Sequence, residues 1–299
     1  MLTASNLTKV FDGKKALDGV CFEIDDGCVY GLVGSNGSGK STLLRLISGV
    51  YKPDFGKVGI DGISSFNNPG VKSQIAFLGD TPYFLPQSNL KEMAGFYKST
   101  YKNFDTEAYK YLLSVFPLNE TARLSTFSKG MRRQAALILM LSTRPRYLLL
   151  DEAFDGLDVV MRKTLSNIII DSTDKYGMTV IIASHNLREI EDMCDHISLL
   201  HDGELIADGG IDDVRGKIHK VQAVFDKVPE TEAFSKLDLM KIERTGSVIQ
   251  LVARGEKQDI MAFVESLSPK FAECIDVSLE EAFIYELEVK GYDVKTIES

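Results

Sequence analysis

The sequence predicts an α/β fold built on a mainly parallel sheet, followed by a small α+β domain of ferredoxin-like order. Three observations predict it. Apolar strand-like runs alternate with segments of helical period through most of the chain. A glycine-rich segment, Gly34-Ser35-Asn36-Gly37-Ser38-Gly39-Lys40-Ser41, stands between an apolar strand and a helix. Near Gly216 the pattern shifts to short elements in the order β-α-β-β-α-β. The expected domains are therefore residues 1–216 and 217–299.

Taken in order, Val20–Ile24 reads as a strand, Asp25-Asp26-Gly27 as a turn, and Cys28–Val33 as a second strand. Leu43, Leu44 and Ile47 give Ser41–Ser48 a helical face. Lys57–Asp61 and Gln74–Leu78 are short strands, and Asn89 to Phe116 is an aromatic-rich, helix-like stretch. Ser128–Leu141 is a helix that stops before Arg144-Pro145. The apolar strand Tyr147–Leu150 precedes a helix over Val159–Asp174, and the apolar strand Thr179–Ala183 precedes one over Leu187–Cys194. Ile197–His201 and Glu204–Asp208 flank Asp202-Gly203 as a hairpin. Strands at His219–Phe225, Met240–Arg244, Val248–Ala253 and Phe271–Val277, with helices at Thr231–Leu237, Lys257–Ser266 and Leu279–Glu288, complete the chain.

Composition excludes some roles. With 44% hydrophobic and 26% charged residues over 299 positions, the chain is neither disordered nor fibrous. Lys and Arg total 34 against 43 Asp and Glu, a net charge of −9, which opposes binding to a nucleic-acid backbone. No apolar run approaches the ~20 residues of a membrane span, and no secretory signal is visible at the N-terminus. Cys21, Cys28, Cys194 and Cys274 form no CxxC pair and read as reduced, mostly buried thiols. The expectation is a soluble, cytoplasmic protein.

Residues 34–41 fit G-x-x-x-x-G-K-[ST] in the context that this motif needs. Gly34, Ser35, Asn36, Gly37, Ser38 and Gly39 let the backbone wrap closely, so that its N–H groups face phosphate oxygens at a helix N-terminus. Lys40 then reaches the β- and γ-phosphates, Ser41 offers a hydroxyl to Mg²⁺, and Thr42 stands near the α-phosphate. Tyr147–Leu150 leads into Asp151-Glu152. A buried strand that delivers two carboxylates at its C-terminal end gives Asp151 to the Mg²⁺ shell and Glu152 to the attacking water.

Further motifs narrow the choice. Phe127-Ser128-Lys129-Gly130-Met131 resembles the signature motif of ATP-binding cassette (ABC) ATPases, in a variant familiar from bacterial exporter cassettes. Ala153-Phe154-Asp155-Gly156-Leu157-Asp158 resembles the D-loop of that family, Ser184-His185-Asn186 its switch histidine, and Phe11 its adenine-stacking aromatic. All occur in family order, and the resemblance covers residues 1 to about 216. It implies a P-loop cassette with a helical subdomain at about 84–142 and ATP with Mg²⁺ as ligands. It also implies that His185 positions the water, and that Ser128, Gly130 and Asp158 belong to a nucleotide site shared across a dimer. At the family's Q-loop position this chain carries Asp80, an oxygen ligand expected to replace the usual Gln at the metal.

The resemblance further implies partners. A second cassette subunit, identical or not, would close the site. A separate transmembrane permease subunit would be driven from the inner face of the membrane, with Tyr83–Leu90 as its contact. The function expected is ATP hydrolysis that powers an exporter. Two other readings stay open: a non-transport cassette acting on ribosomes or DNA, and a regulatory cassette in a heterodimer. The first lacks the basic segment it would need.

Overall fold

The computed structural model describes residues 1–211, 213 and 217–292. The chain divides into two units, one spanning Met1–Leu205 and a second beginning at Ile206. The division falls within a strand, ahead of the expected 216/217 boundary, and residue 216 lies outside the described residues.

In the first unit, β1 (Leu2–Phe11), β2 (Lys14–Ile24) and β4 (Phe55–Ile60) form an antiparallel sheet in the order β2-β1-β4. The sequence pattern hides β1, because Ser5, Asn6, Thr8 and Lys9 interrupt its alternation. Asn6, at φ 49°, sits where the register with β2 shifts between Ala4 and Leu7.

The larger sheet has the order β5-β6-β7-β3-β8-β9. Its strands are β3 (Val29–Val33), β5 (Ile75–Leu78), β6 (Tyr147–Asp151), β7 (Thr179–Ser184), β8 (His196–His201) and β9 (Glu204–Gly210). From β5 through β8 every neighbouring pair is parallel. Every residue of β3, β6 and β7 is buried, as expected of parallel strands covered on both faces. Helix α1 (Lys40–Ile47) buries Leu43, Leu44, Leu46 and Ile47 in the core between the two sheets, which also holds Leu7, Tyr30, Leu149 and Ile181.

After the single turn α2 (Pro69–Lys72), the stretch expected as one helix-like run is two helices, α3 (Leu90–Thr100) and α4 (Thr106–Val115). Side-chain chemistry sets the break. Asn89 and Glu92 close a capping box on α3, and the Asp105 carboxylate accepts from the amides of Glu107 and Ala108 to start α4. Helices α5 (Lys129–Ser142) and α6 (Val159–Tyr176) are capped by Ser128 and Asp158. The helix expected over Leu187–Cys194 is only a 3₁₀ turn, Leu187–Glu189, with the Asn186 side chain bonded to the Arg188 amide. The turn Asp202-Gly203 has positive φ at both residues (45° and 82°) and joins β8 to its sheet neighbour β9.

The second unit carries an antiparallel sheet of β10 (Ile218–Val224), β11 (Asp238–Thr245), β12 (Val248–Arg254) and β13 (Phe271–Ile275), in the order β11-β12-β10-β13. The first connection holds only a 3₁₀ turn, Thr231–Phe234, where a longer helix was expected. Ile249, Leu251 and Ala253 of β12 pack with Phe234 and with Ile260 and Val264 of α7 (Lys257–Ser266). Val252, which points to the other face, packs with Ala282 and Tyr285 of α8 (Leu279–Val289). The two long helices thus cover opposite faces of the sheet.

A polar knot ties the start of β3 to the start of β6 and the end of β4. Arg146 donates to Asp26 at 2.7 Å and to Asp61 at 2.6 Å, and the Tyr147 hydroxyl also donates to Asp26. Burial alone would raise the Asp26 carboxyl, but these donors hold it at about 2. A depressed carboxyl stabilises the fold above its unfolded value and loses that share as pH falls through its folded value. The urea midpoint of the native sequence should therefore drop more steeply between pH ~4 and ~2 than that of Asp26→Asn. Equal slopes in the two proteins would refute this role.

Candidate active site

The register of the parallel sheet builds the site. Val33 lies beside Ser184 and Asp151 beside Ala183, so the chain segments that leave β3, β6 and β7 emerge along one edge. A cleft of about 490 Å³ opens there. Asn36, Gly37, Gly39, Lys40, Ser41 and Thr42 line it with Asp80, Lys129, Glu152, Asp155 and His185. Two roomier clefts, about 660 and 670 Å³, both include Arg144 and Tyr176 and bring no phosphate loop or carboxylate–histidine pair together.

The loop after β3 can be built only with glycine at two positions. A Cβ on Gly34 would lie 2.1 Å from the Leu200 carbonyl oxygen, and one on Gly39 would lie 2.5 Å from that of Ala16. Gly39 also has φ 111°, and no side chain caps α1 beyond it, so the amides of the helix start face the cleft mouth. Ser38 Oγ is buried with no hydrogen-bond partner among the described residues. An anion at this helix start would meet donors already in place.

Lys40 is 5% exposed, and its Nζ donates to the carbonyls of Gly34 at 2.6 Å and Ser35 at 3.1 Å. The same ammonium stands 3.6 Å from Glu152 Oε1. Burial lowers its pKa, while the charge of Glu152 pulls the other way. Ser41 Oγ donates to Asp151 Oδ1 at 3.0 Å, and Asp151 Oδ2 is buried without a partner among the described residues. Burial raises the Asp151 carboxyl, and the Ser41 bond only partly offsets this. A hydroxyl beside an unsatisfied carboxylate oxygen suits a hard divalent cation such as Mg²⁺, which takes oxygen ligands.

Glu152 follows Asp151 in a left-handed conformation, φ 50°, fixed by its amide bond to the Ala183 carbonyl. A non-glycine residue held there stores strain, and such strain clusters at functional sites. The conformation brings Glu152 Oε2 to 2.9 Å from His185 Nδ1, and the His185 amide donates to the same oxygen at 3.3 Å. Asp155 joins them, and single ligand atoms from these three side chains lie within 4.8 Å of one another.

The remaining expected residues are placed as follows. Gly34, Ser35 and Ser38 belong to the loop but do not line the cleft. Asp80 reaches the cleft, but its Oδ1 is 3.1 Å from Arg133 and 3.8 Å from Lys129. A carboxylate already held by two cations is a poor donor to a third, so the oxygen set that fits a metal is Ser41 with Asp151. Ser128 caps α5, its Oγ accepting from the Met131 amide at 3.2 Å, and Asp158 caps α6 at 2.9 Å. Neither these two nor Gly130 lines the cleft of their own chain. Phe11 is 40% exposed, packs edge-on against Tyr51 at 5.4 Å, and does not line the cleft. Sequence reasoning missed Arg133, Lys129 and Ala16 as neighbours of the site. Asp155 lies in the D-loop-like run Ala153–Asp158, from which only Asp158 was expected at the site.

The ABC transporter family profile matches residues 17–155. The ABC transporter ATP-binding protein YtrB of Bacillus subtilis is 30% identical over 284 residues, which span 95% of this chain and 97% of YtrB. The chain belongs to the ABC transporter family, as an ATP-binding subunit. The bacitracin transport ATP-binding protein BcrA of Bacillus licheniformis is 28% identical over 74% of this ABC subunit and 73% of its own length. A solved structure of an ABC transporter's ATP-binding subunit superposes with a TM-score of 0.66 at 27% identity, covering 72% of this chain and 92% of that one. As a member of this family the chain is an ATPase, and residues of the loop at 34–41 line its cleft. Gly39→Ala should abolish binding of a fluorescent ATP analogue while far-ultraviolet circular dichroism stays native. Retained affinity would show that the close approach to Ala16 is dispensable.

Proposed function

We propose that this ABC subunit hydrolyses ATP to drive a separate membrane exporter, two cassettes closing on two shared nucleotides. One observation carries the reading: the Glu152 carboxylate is held between Lys40 and His185 at the mouth of the phosphate loop. The loop amides and the start of α1 hold the phosphates, and Lys40 exchanges its contacts with the Gly34 and Ser35 carbonyls for phosphate oxygens. Ser41 and Asp151 would hold Mg²⁺, which would offset the negative charge of the phosphates. Asp80 is assigned to Arg133 rather than to the metal.

Glu152 accepts the proton of the water that attacks the γ-phosphate. His185 keeps Oε2 aimed through its ring nitrogen and its amide, which requires the tautomer with hydrogen on Nδ1. Ser128 and Gly130 do not line the cleft of their own chain, and at the start of α5 they would meet the γ-phosphate of a second cassette. Among the described residues no helix is long and apolar enough to cross a membrane. A permease partner would dock where Tyr83, Leu85 and Phe96 lie exposed, beside a cleft of about 470 Å³ behind Asp80. The direction is export, a reading supported by the Ser128-Lys129-Gly130-Met131 variant.

Glu152→Gln should lower kcat by about 10²- to 10⁴-fold while ATP still binds, and should shift the chain to an ATP-bound dimer in size-exclusion chromatography. Brisk turnover by this variant removes Glu152 as the base. Hydrolysis that does not rise more than linearly with enzyme concentration removes the shared site.

A further inference from the structure

We propose that Arg132 and Arg133 form a paired grip through which the segment after β5 positions the loop that carries Asp155 beside Glu152 and His185. The proposal rests on the ATPase reading above and adds a positioning role to two residues that touch no nucleotide.

Arg133 lies in the first turns of α5 with a fully buried side chain. A buried guanidinium needs partners for its donors, and Nη1 and Nη2 find them while Nε has none among the described residues. Its Nη2 donates to the Asp80 carbonyl at 2.8 Å and to the Asp80 carboxylate at 3.1 Å, and its Nη1 donates to the Asp155 carbonyl. One planar group thus bonds the segment after β5 and the loop after β6 at once. Arg132 holds the same segment further along. Its Nη2 donates to the Pro82 carbonyl at 3.3 Å, and its guanidinium lies 5.9 Å from the Phe84 ring centroid.

A second, independent contact couples the same pieces. A Cβ on Gly130 would lie 2.8 Å from the Gly156 carbonyl oxygen, so the start of α5 and the Asp155 loop pack backbone to backbone. The guanidinium fork is rigid. A displacement of Asp80 must carry Arg133 with it or break a bond, and Arg133 in turn holds the peptide of Asp155. The segment Asp80–Phe84 also bears Tyr83, 76% exposed and available from outside. The acid at position 80 has a reason on this account: it neutralises a buried arginine.

The test compares the full chain with Arg133→Lys and with Asp80→Asn, by hydrogen exchange and by steady-state ATPase kinetics. A lysine keeps the charge but cannot span acceptors on two loops. Asp80→Asn keeps an oxygen acceptor and the carbonyl contact for Arg133 on an exposed side chain, and circular dichroism checks that both variants are folded. In both variants amides of residues 152–158 should exchange faster, although Asp80 lies outside that loop. For Arg133→Lys, kcat should fall about 10- to 100-fold with KM for MgATP within about twofold. Asp80→Asn, which retains the carbonyl contact, should show the same split to a smaller extent. Unchanged exchange at 152–158 in Asp80→Asn, or a loss carried by KM, overturns the grip. If the native chain turns over no ATP, the ATPase reading fails while the exchange measurement still decides the grip.

Discussion

Everything in the site depends on the register of three parallel strands. Pairing Val33 with Ser184 and Asp151 with Ala183 brings three chain segments to one edge of the sheet. A slip of one residue between β6 and β7 would turn the Asp151 side chain to the other face and separate Glu152 from His185. The pairing is secured by burial: every residue of these strands is inside, so no alternative register keeps the same apolar surface covered. The glycines then allow the loop after β3 to pass so close to Ala16 and Leu200 that Lys40 can reach Glu152. Structure first and chemistry second, the cluster of Lys40, Glu152 and His185 is a by-product of how this sheet is zipped.

The parts of this arrangement legible in the sequence are those whose physics is local. A phosphate loop announces itself through glycine spacing, and Asp151-Glu152 through four apolar residues that end in acids. His185 is visible because Ser184-His185-Asn186, after an apolar strand, resembles the family's switch histidine. What the sequence hides depends on tertiary partners. Strand β1 is half polar because it is bulged and shared between two neighbours. The break before α4 turns on one capping carboxylate, Asp105, within a run of helix-compatible residues. Arg133 looks like a solvated charge on an amphipathic helix, and only the approach of two distant carbonyls makes it an interior residue.

The second unit shows the same division. Its strand order matches the β-α-β-β-α-β pattern, because hairpin and crossover lengths restrict topology. The placement of α8 on the face opposite α7 was not readable. It follows from Val252, a single residue of β12 that points away from its buried neighbours and needs cover. The Arg254–Glu286 and Lys241–Glu288 pairs then tie α8 to the sheet.

The loop at residues 34–39 is closed on itself by Lys40, whose ammonium is already satisfied by two carbonyls of that loop. Much of the cost of ordering this segment is therefore met during folding rather than at the moment of capture. An incoming phosphate gains no new shape from the protein; it displaces one set of lysine contacts with another. Discrimination then rests on what the newcomer offers in exchange. Only a ligand with enough negative charge to compete with two carbonyls and with the Glu152 carboxylate, 3.6 Å from the ammonium, can take the lysine.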